Sequence, residues 1–281
     1  MSMIVRLFCP KCAYEVTQKK MPRAYIEVPV PVSEIKDDGE YEVRCDAGHV
    51  SAVTLDNIKF ELLFELGLNA LLDNYPREAI SSFSSSLERF QEFYWRVVMM
   101  HFSVPTSVIE SAWKSMSRQS ERQLSAYASA SIVLTKAEPL VLNPNKETQL
   151  RNNVIHKGYV PNFEEAVAFG DAVMEIINAA LEVLRNTAPK AFASTYEELS
   201  PRSTQKVTRA DDDHTGTVNI LTAVDARHPA TGDDRRVGGV ERQLSRVAHE
   251  REPHRMELVS EEEMVKKDPD RIPPNFREPR S

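Results

Sequence analysis

Nothing in this 281-residue chain approaches the run of roughly 18 apolar residues needed to span a bilayer. Its opening, M-S-M-I-V-R-L-F-C-P, lacks the layout of a signal peptide. No membrane partner is therefore expected, and the expected compartment is the cytoplasm. Cysteine is scarce: there are three, so they cannot all pair as intramolecular disulfides. Two of them stand in C-x-x-C, which in a reducing compartment points to metal or redox use. There is no Gly-rich phosphate loop, no Ser-His-Asp arrangement and no carboxylate metal cluster to offer an active site. Excess positive charge is missing too. A net charge of −7 argues against general coating of nucleic acid. The charge is unevenly spread, however. Residues 111–160 hold seven Lys or Arg against three Glu, a local +4, so the remainder carries −11.

What is present divides into three parts. Apolar residues make up 41% of the chain, enough for a core, and the length allows two domains. Residues 1–54 read as a small β-rich unit, with alternating runs at Tyr25–Val32 and Tyr41–Arg44 and a turn signal at Asp38-Gly39 between them. Cys9-Pro10-Lys11-Cys12 precedes these runs and C-D-A-G-H, Cys45 to His49, follows them. Two ligand pairs separated by strands fit a zinc ribbon, because Zn²⁺ is tetrahedral and takes thiolate and imidazole ligands. Cys9, Cys12, Cys45 and His49 are the expected ligands. Four protein ligands leave no open position, so this zinc would stabilise and not catalyse. A redox C-x-x-C is the other reading, but it belongs at the strand-to-helix turn of a βαβ pattern, and none is evident around Cys9.

From Leu55 the period becomes helical. Leu62, Leu63, Leu66, Leu68, Leu71 and Leu72 form an apolar stripe that ends before Pro76. A second helix carries Ala79, Ile80, Phe83, Leu87, Phe90 and Phe93 at three- and four-residue spacing to about Met100, and its aromatics read as core. Pro105 opens a short helix to about Met116, and 121–136 reads as another. A proline-interrupted loop, 138–146, leads into a helix at 146–159, closed by Gly158 and Pro161. Asn162 caps the last long helix, with Glu164 and Glu165 complementing its dipole, to about Arg185. Residues 191–281 change character. From 201 on there are 15 Lys or Arg and 16 Asp or Glu, and so balanced a polyampholyte is expected to be mostly disordered. A transient helix is expected over 241–265, and His214, His228, His249 and His254 are expected to be solvated.

The helix before Gly158 carries the chemistry. Leu150 to Tyr159 reads L-R-N-N-V-I-H-K-G-Y, and buried polar groups in a bundle cost free energy unless partnered. At 100° per residue, Asn152 and His156 share a face and Arg151 is displaced to the side. A histidine is the natural general acid or base near neutrality, and an arginine is a permanent bidentate phosphate clamp. The spacing resembles the R-N-x-x-x-H motif of HEPN domains, small helical bundles of which many are metal-independent ribonucleases. The likeness extends to G-L-N-A-L-L-D-N-Y-P-R-E-A-I-S-S-F at Gly67 onward and to H-K-G-Y-V-P-N-F-E-E-A-V at His156 onward. It covers about Leu55 to Ala188, roughly half the chain, and the motif is intact.

The resemblance implies a mainly α fold: a HEPN-type bundle over 55–190, with the small N-terminal zinc ribbon and the disordered tail outside it. It implies a metal-independent endoribonuclease in toxin or antiviral defence. In it His156 is the general acid/base, Arg151 holds the scissile phosphate and Asn152 is the orienter. Lys157 would help hold the RNA backbone, and Glu88 is a polar partner for Arg151. RNA is the expected substrate and a homodimer facing two motifs the expected assembly, with an antitoxin or regulatory protein as a further partner. The alternative is a non-catalytic RNA- or protein-binding module. A zinc-dependent transcriptional regulator is disfavoured by the acidic net charge and the lack of a helix-turn-helix signal.

Overall fold

The structure is a computed structural model that describes residues 3–18, 27–204, 215–229 and 238–251. It is mainly helical with a few short strands. In chain order the elements are β1 (Met3–Phe8), α1 (Pro10–Gln18), β2 (Glu27–Val32), β3 (Glu40–Arg44), β4 (Val50–Leu55), α2 (Lys59–Leu72) and α3 (Pro76–His101). Then follow α4 (Thr106–Met116), α5 (Ser120–Thr135), a π turn (Pro144–Thr148), α6 (Gln149–His156), α7 (Phe163–Thr187), α8 (Pro189–Leu199), β5 (Gly216–Val218) and α9 (Val240–Arg251). No helix among the described residues is long and apolar enough to cross a membrane.

The bundle forms around α3. Pro76 at its first turn supplies a preset φ and no unsatisfied N–H. Its aromatic stripe is core: Phe83, Phe90, Phe93 and Tyr94 are fully buried. Phe90 meets Phe60 of α2 edge-on at 5.3 Å, and Tyr94 meets Tyr127 of α5 at 4.9 Å, the geometry favoured by ring quadrupoles. Gly67 of α2 and Gly170 of α7 leave room for the Phe83 ring, which a side chain at either position would strike. Asn162 caps α7 reciprocally with Glu165, each side chain bonding the other's backbone N–H at 2.8 Å. Trp113 brings α4 onto Trp95 of α3, with ring centroids 5.5 Å apart.

The N-terminal unit contains a helix as well as strands. β1 and β2 pair antiparallel, Met3 opposite Val32, and β3 pairs antiparallel with β4. Met3, Val5, Leu7, Val43 and Val53 form a second core that Leu62 of α2 completes. The expected run at Tyr25–Val32 is a strand from Glu27; Tyr25 and Ile26 lie outside the described residues.

The largest departure is at the C-terminal end. The boundary expected at 191, with mostly disordered chain beyond it, does not hold for the described segments. α8 buries Phe192 and Tyr196 in the main core, and 222–226 and α9 bury Ala223, Val224, Ala226, Val240, Leu244 and Val247 there. β5 adds to the sheet parallel to β4, Val53 opposite Gly216. The reason lies on α2. Glu61, Glu65 and Asn69 recur every four residues, which sets them on one face of the helix, and Asn57 just before it and Asp73 at its C-terminal end continue the row. Each holds the returning chain: Asn57 brackets the N–H and C=O of Ile220 at 2.9 and 3.0 Å. Glu61 accepts from the Ala226 N–H at 2.7 Å and Glu65 from the Ala223 N–H at 2.7 Å. Arg246 reaches both oxygens of Glu65, at 2.7 and 2.8 Å, and Arg251 pairs with Asn69 and Asp73. Composition counts these charges as water-seeking, whereas they find partners some 160–180 residues away. The expected helix over 241–265 is formed as α9 to Arg251 and is packed, not transient; 252–265 lie outside the described residues, as do His214 and His254. His228 is exposed, but its backbone N–H donates to Asp225 at 2.7 Å.

Candidate functional site

Two clusters of chemically capable side chains emerge. The first is built by the ends of β1 and β3. β1 stops at Phe8, Cys9 follows, and α1 begins at Pro10, so Cys12 lies in its first turn. The C-x-x-C therefore does sit at a strand-to-helix junction, contrary to the sequence expectation. Since β1 and β2 are antiparallel, it is not the parallel βαβ unit of a redox fold. Across from it, β3 leads into a knuckle in which the Gly48 N–H donates to Cys45 O at 2.9 Å and the Cys45 N–H to His49 O at 3.2 Å. Gly48 takes φ +81°, a conformation that a residue without Cβ adopts at no steric cost.

These junctions converge. The ligand atoms of Cys9, Cys12, Cys45 and His49 lie within 4.8 Å of one another, and the three thiols are buried and free. Cys12 Sγ is 3.6 Å from Cys45 Sγ and 3.2 Å from His49 Nδ1, and Cys9 Sγ is 3.9 Å from that nitrogen. A tetrahedral ion with bonds of about 2.3 Å to sulfur and 2.0–2.1 Å to nitrogen has edges of roughly 3.8 and 3.6 Å, so the four atoms are spaced to hold a metal ion. Burial pushes the Cys12 thiol up to about 12, and Cys45 and Cys9 add to the rise. Burial also acts to raise Cys45, but the backbone N–H of His49, the Cys12 thiol and the Ala47 N–H outweigh it and hold that thiol below its ordinary value. A divalent cation would displace the remaining thiol protons on binding.

The second cluster lies on α6, anchored in the core by fully buried Val154. Arg151 is half-buried. Its Nη2 donates to Glu88 Oε1 of α3 at 2.7 Å and its Nη1 to Asn152 Oδ1 at 3.1 Å. Arg151, Asn152 and Glu88 line one wall of a cleft of about 120 Å³ between α3, α5 and the loop before the π turn. His156 is elsewhere: it is the last residue of α6, exposed, and not among the residues lining that cleft. Lys157 is exposed beside it and closes the helix by donating its N–H to Asn153 O at 3.1 Å. The basic side chains expected to surround the motif are thus split between a buried-side fork, Arg151, and an exposed end, Lys157.

Sequence reasoning did not single out Gln91, which also lines the cleft. Its only signal was a place one helical turn from Glu88 on a stripe read as core. The chain matches no known protein family, no curated protein and no solved structure.

Proposed function

We propose that the chain is a metal-independent endoribonuclease of the HEPN type, with a structural zinc at Cys9, Cys12, Cys45 and His49. The observation that supports it best is the Arg151 fork, held half-buried by Glu88 and Asn152, on the same short helix as an exposed histidine five residues on. Glu88 and Asn152 engage one N–H from each end of the guanidinium, and the remaining N–H groups are left to hold a phosphate oxygen. In the proposed reaction the ribose 2′-oxygen attacks phosphorus as its proton passes to a base. The P–O5′ bond breaks and the leaving 5′-oxygen takes a proton from an acid, giving a 2′,3′-cyclic phosphate. His156 is the group available for proton transfer, Arg151 neutralises the charge building on phosphorus, and Asn152 steadies the arginine. Lys157 attracts the RNA backbone, and two copies facing each other would join two such motifs. The zinc has four protein ligands and so takes no part in the chemistry.

A second reading draws on a specific observation. Because His156 does not line the cleft that holds Arg151 and Asn152, the bundle could bind RNA or protein without cutting. The same assay separates the two. Wild type and His156→Ala are incubated with total cellular RNA in EDTA, with folding checked by circular dichroism since the chelator also competes for the Cys9 cluster, and the cut ends are mapped. Cleavage by the wild type only, leaving cyclic phosphates, supports the nuclease. No cleavage by either folded protein, with RNA retained on a filter, supports the binding module.

A further inference from the structure

Leu124, Leu140 and Val141 are 38%, 44% and 37% exposed, and all three line the cleft that also holds Arg151 and Asn152. Large apolar side chains converging on one concave surface beside a cationic fork are the composition of a ligand site, flat apolar walls with few polar groups. The volume, about 120 Å³, is close to that of a cavity of about 150 Å³ that admits a single benzene ring. At its wall lies Gln91, 5% exposed. Its side-chain amide offers both a donor and an acceptor.

We infer that the cleft is a slot for one nucleobase of a single-stranded RNA, the base next to the phosphate that Arg151 holds. The inference rests on the nuclease reading and names which part of the substrate the Arg151 wall receives. A nucleobase has two apolar faces and an edge of donors and acceptors. Leu124, Leu140 and Val141 cover the faces and the Gln91 amide meets the edge. Single-stranded RNA is recognised by splaying out unstacked bases in this way.

The test uses the full chain carrying His156→Ala, so that RNA is bound and not cut, with a single-stranded oligoribonucleotide carrying 2-aminopurine at successive positions. One position is expected to change fluorescence on binding, and an abasic residue there is expected to weaken binding about tenfold. Val141→Trp, which fills the cleft from an exposed position, is expected to weaken binding by a similar factor and to be indifferent to the abasic residue. Gln91→Leu, close in volume, is expected to keep the fold and flatten the preference among bases. Equal binding of intact and abasic RNA by the parent overturns the slot. So does a Val141→Trp protein whose only change is its mass by light scattering, which would make the cleft a contact between copies. Cleavage by the wild type with unaltered base preference in Gln91→Leu removes the slot and leaves the nuclease. Binding of adenosine or uridine monophosphate that shifts the Gln91 amide resonances, in a protein that cuts no RNA, removes the nuclease and leaves the slot.

Discussion

Replacing Arg246 by methionine tests whether the returning chain is part of the fold. Arg246 and Glu65 are both nearly inaccessible, and their bidentate contact is supplemented by the Ala223 N–H on Glu65. Methionine keeps most of the side-chain volume but leaves a buried carboxylate with one backbone donor. Breaking a buried pair from one side costs about 3–5 kcal/mol. Of the other partners of Arg246, Glu250 is 44% exposed, so its loss adds little, whereas the fully buried Gln243 loses the donor to its Oε1 and keeps the cost toward the upper end. For a body of this size the loss lowers Tm by about 6–20 °C. Urea unfolding followed by circular dichroism gives the free energy, and the double variant Arg246→Met/Glu65→Gln gives the coupling. The glutamine keeps an acceptor for Ala223 without a charge, so the double variant is expected to recover about 2 kcal/mol or more of the loss. A single variant within about 1 kcal/mol of wild type, or additive effects in the double, would refute the packing of α9 on α2.

Other expectations are as direct. Burial, with Asp225 beside it, pushes the Glu61 carboxyl up to about 7 from 4.5, so the folded state binds this proton more tightly than the unfolded chain. Stability should therefore rise by about 3 kcal/mol as pH falls from 8 toward 4.5 and be lost as pH rises through 7; urea melts in Glu61→Gln should lack that component. Elemental analysis should find about one zinc per chain, absent in Cys12→Ser along with several kcal/mol of stability; a folded, zinc-free wild type would end the zinc reading. Gly67→Ala should destabilise by about 1–3 kcal/mol despite its better helix propensity, because the methyl meets the Phe83 ring, and a more stable variant by thermal melt would contradict the wedge.

The helices from α2 to α7 were legible because each buries one face, and a 3.6-residue period writes that face into the sequence. The ligand quartet was legible because metal-binding residue types are rare and paired. β1 and α1 were not. β1 is only six residues long, and α1 has no acidic first turn or basic last turn to mark its ends. The C-terminal segments were misread for a different reason. Their charges are partnered by a polar stripe on α2, and partners that far apart in sequence leave no local pattern. The stripe itself, N-x-x-x-E-x-x-x-E-x-x-x-N-x-x-x-D, was visible but hidden among leucines. At the cleft, the Arg151 motif stood out as residue types, whereas Gln91 and the exposed Leu124, Leu140 and Val141 become a site only once α3, α5 and the loop are brought together.

The parallel pairing of β5 with β4 has a consequence for how the chain is made. About 160 residues separate Leu55 from Gly216, so at roughly 5–20 residues per second the ribosome takes about 8–30 seconds between delivering one strand and delivering its neighbour. For that interval the outer edge of β4 has no partner, and an unpaired strand edge is a template for pairing with other chains. The ligand quartet is complete at His49, before β4 is even made, so all four of its ligands are in place throughout that interval.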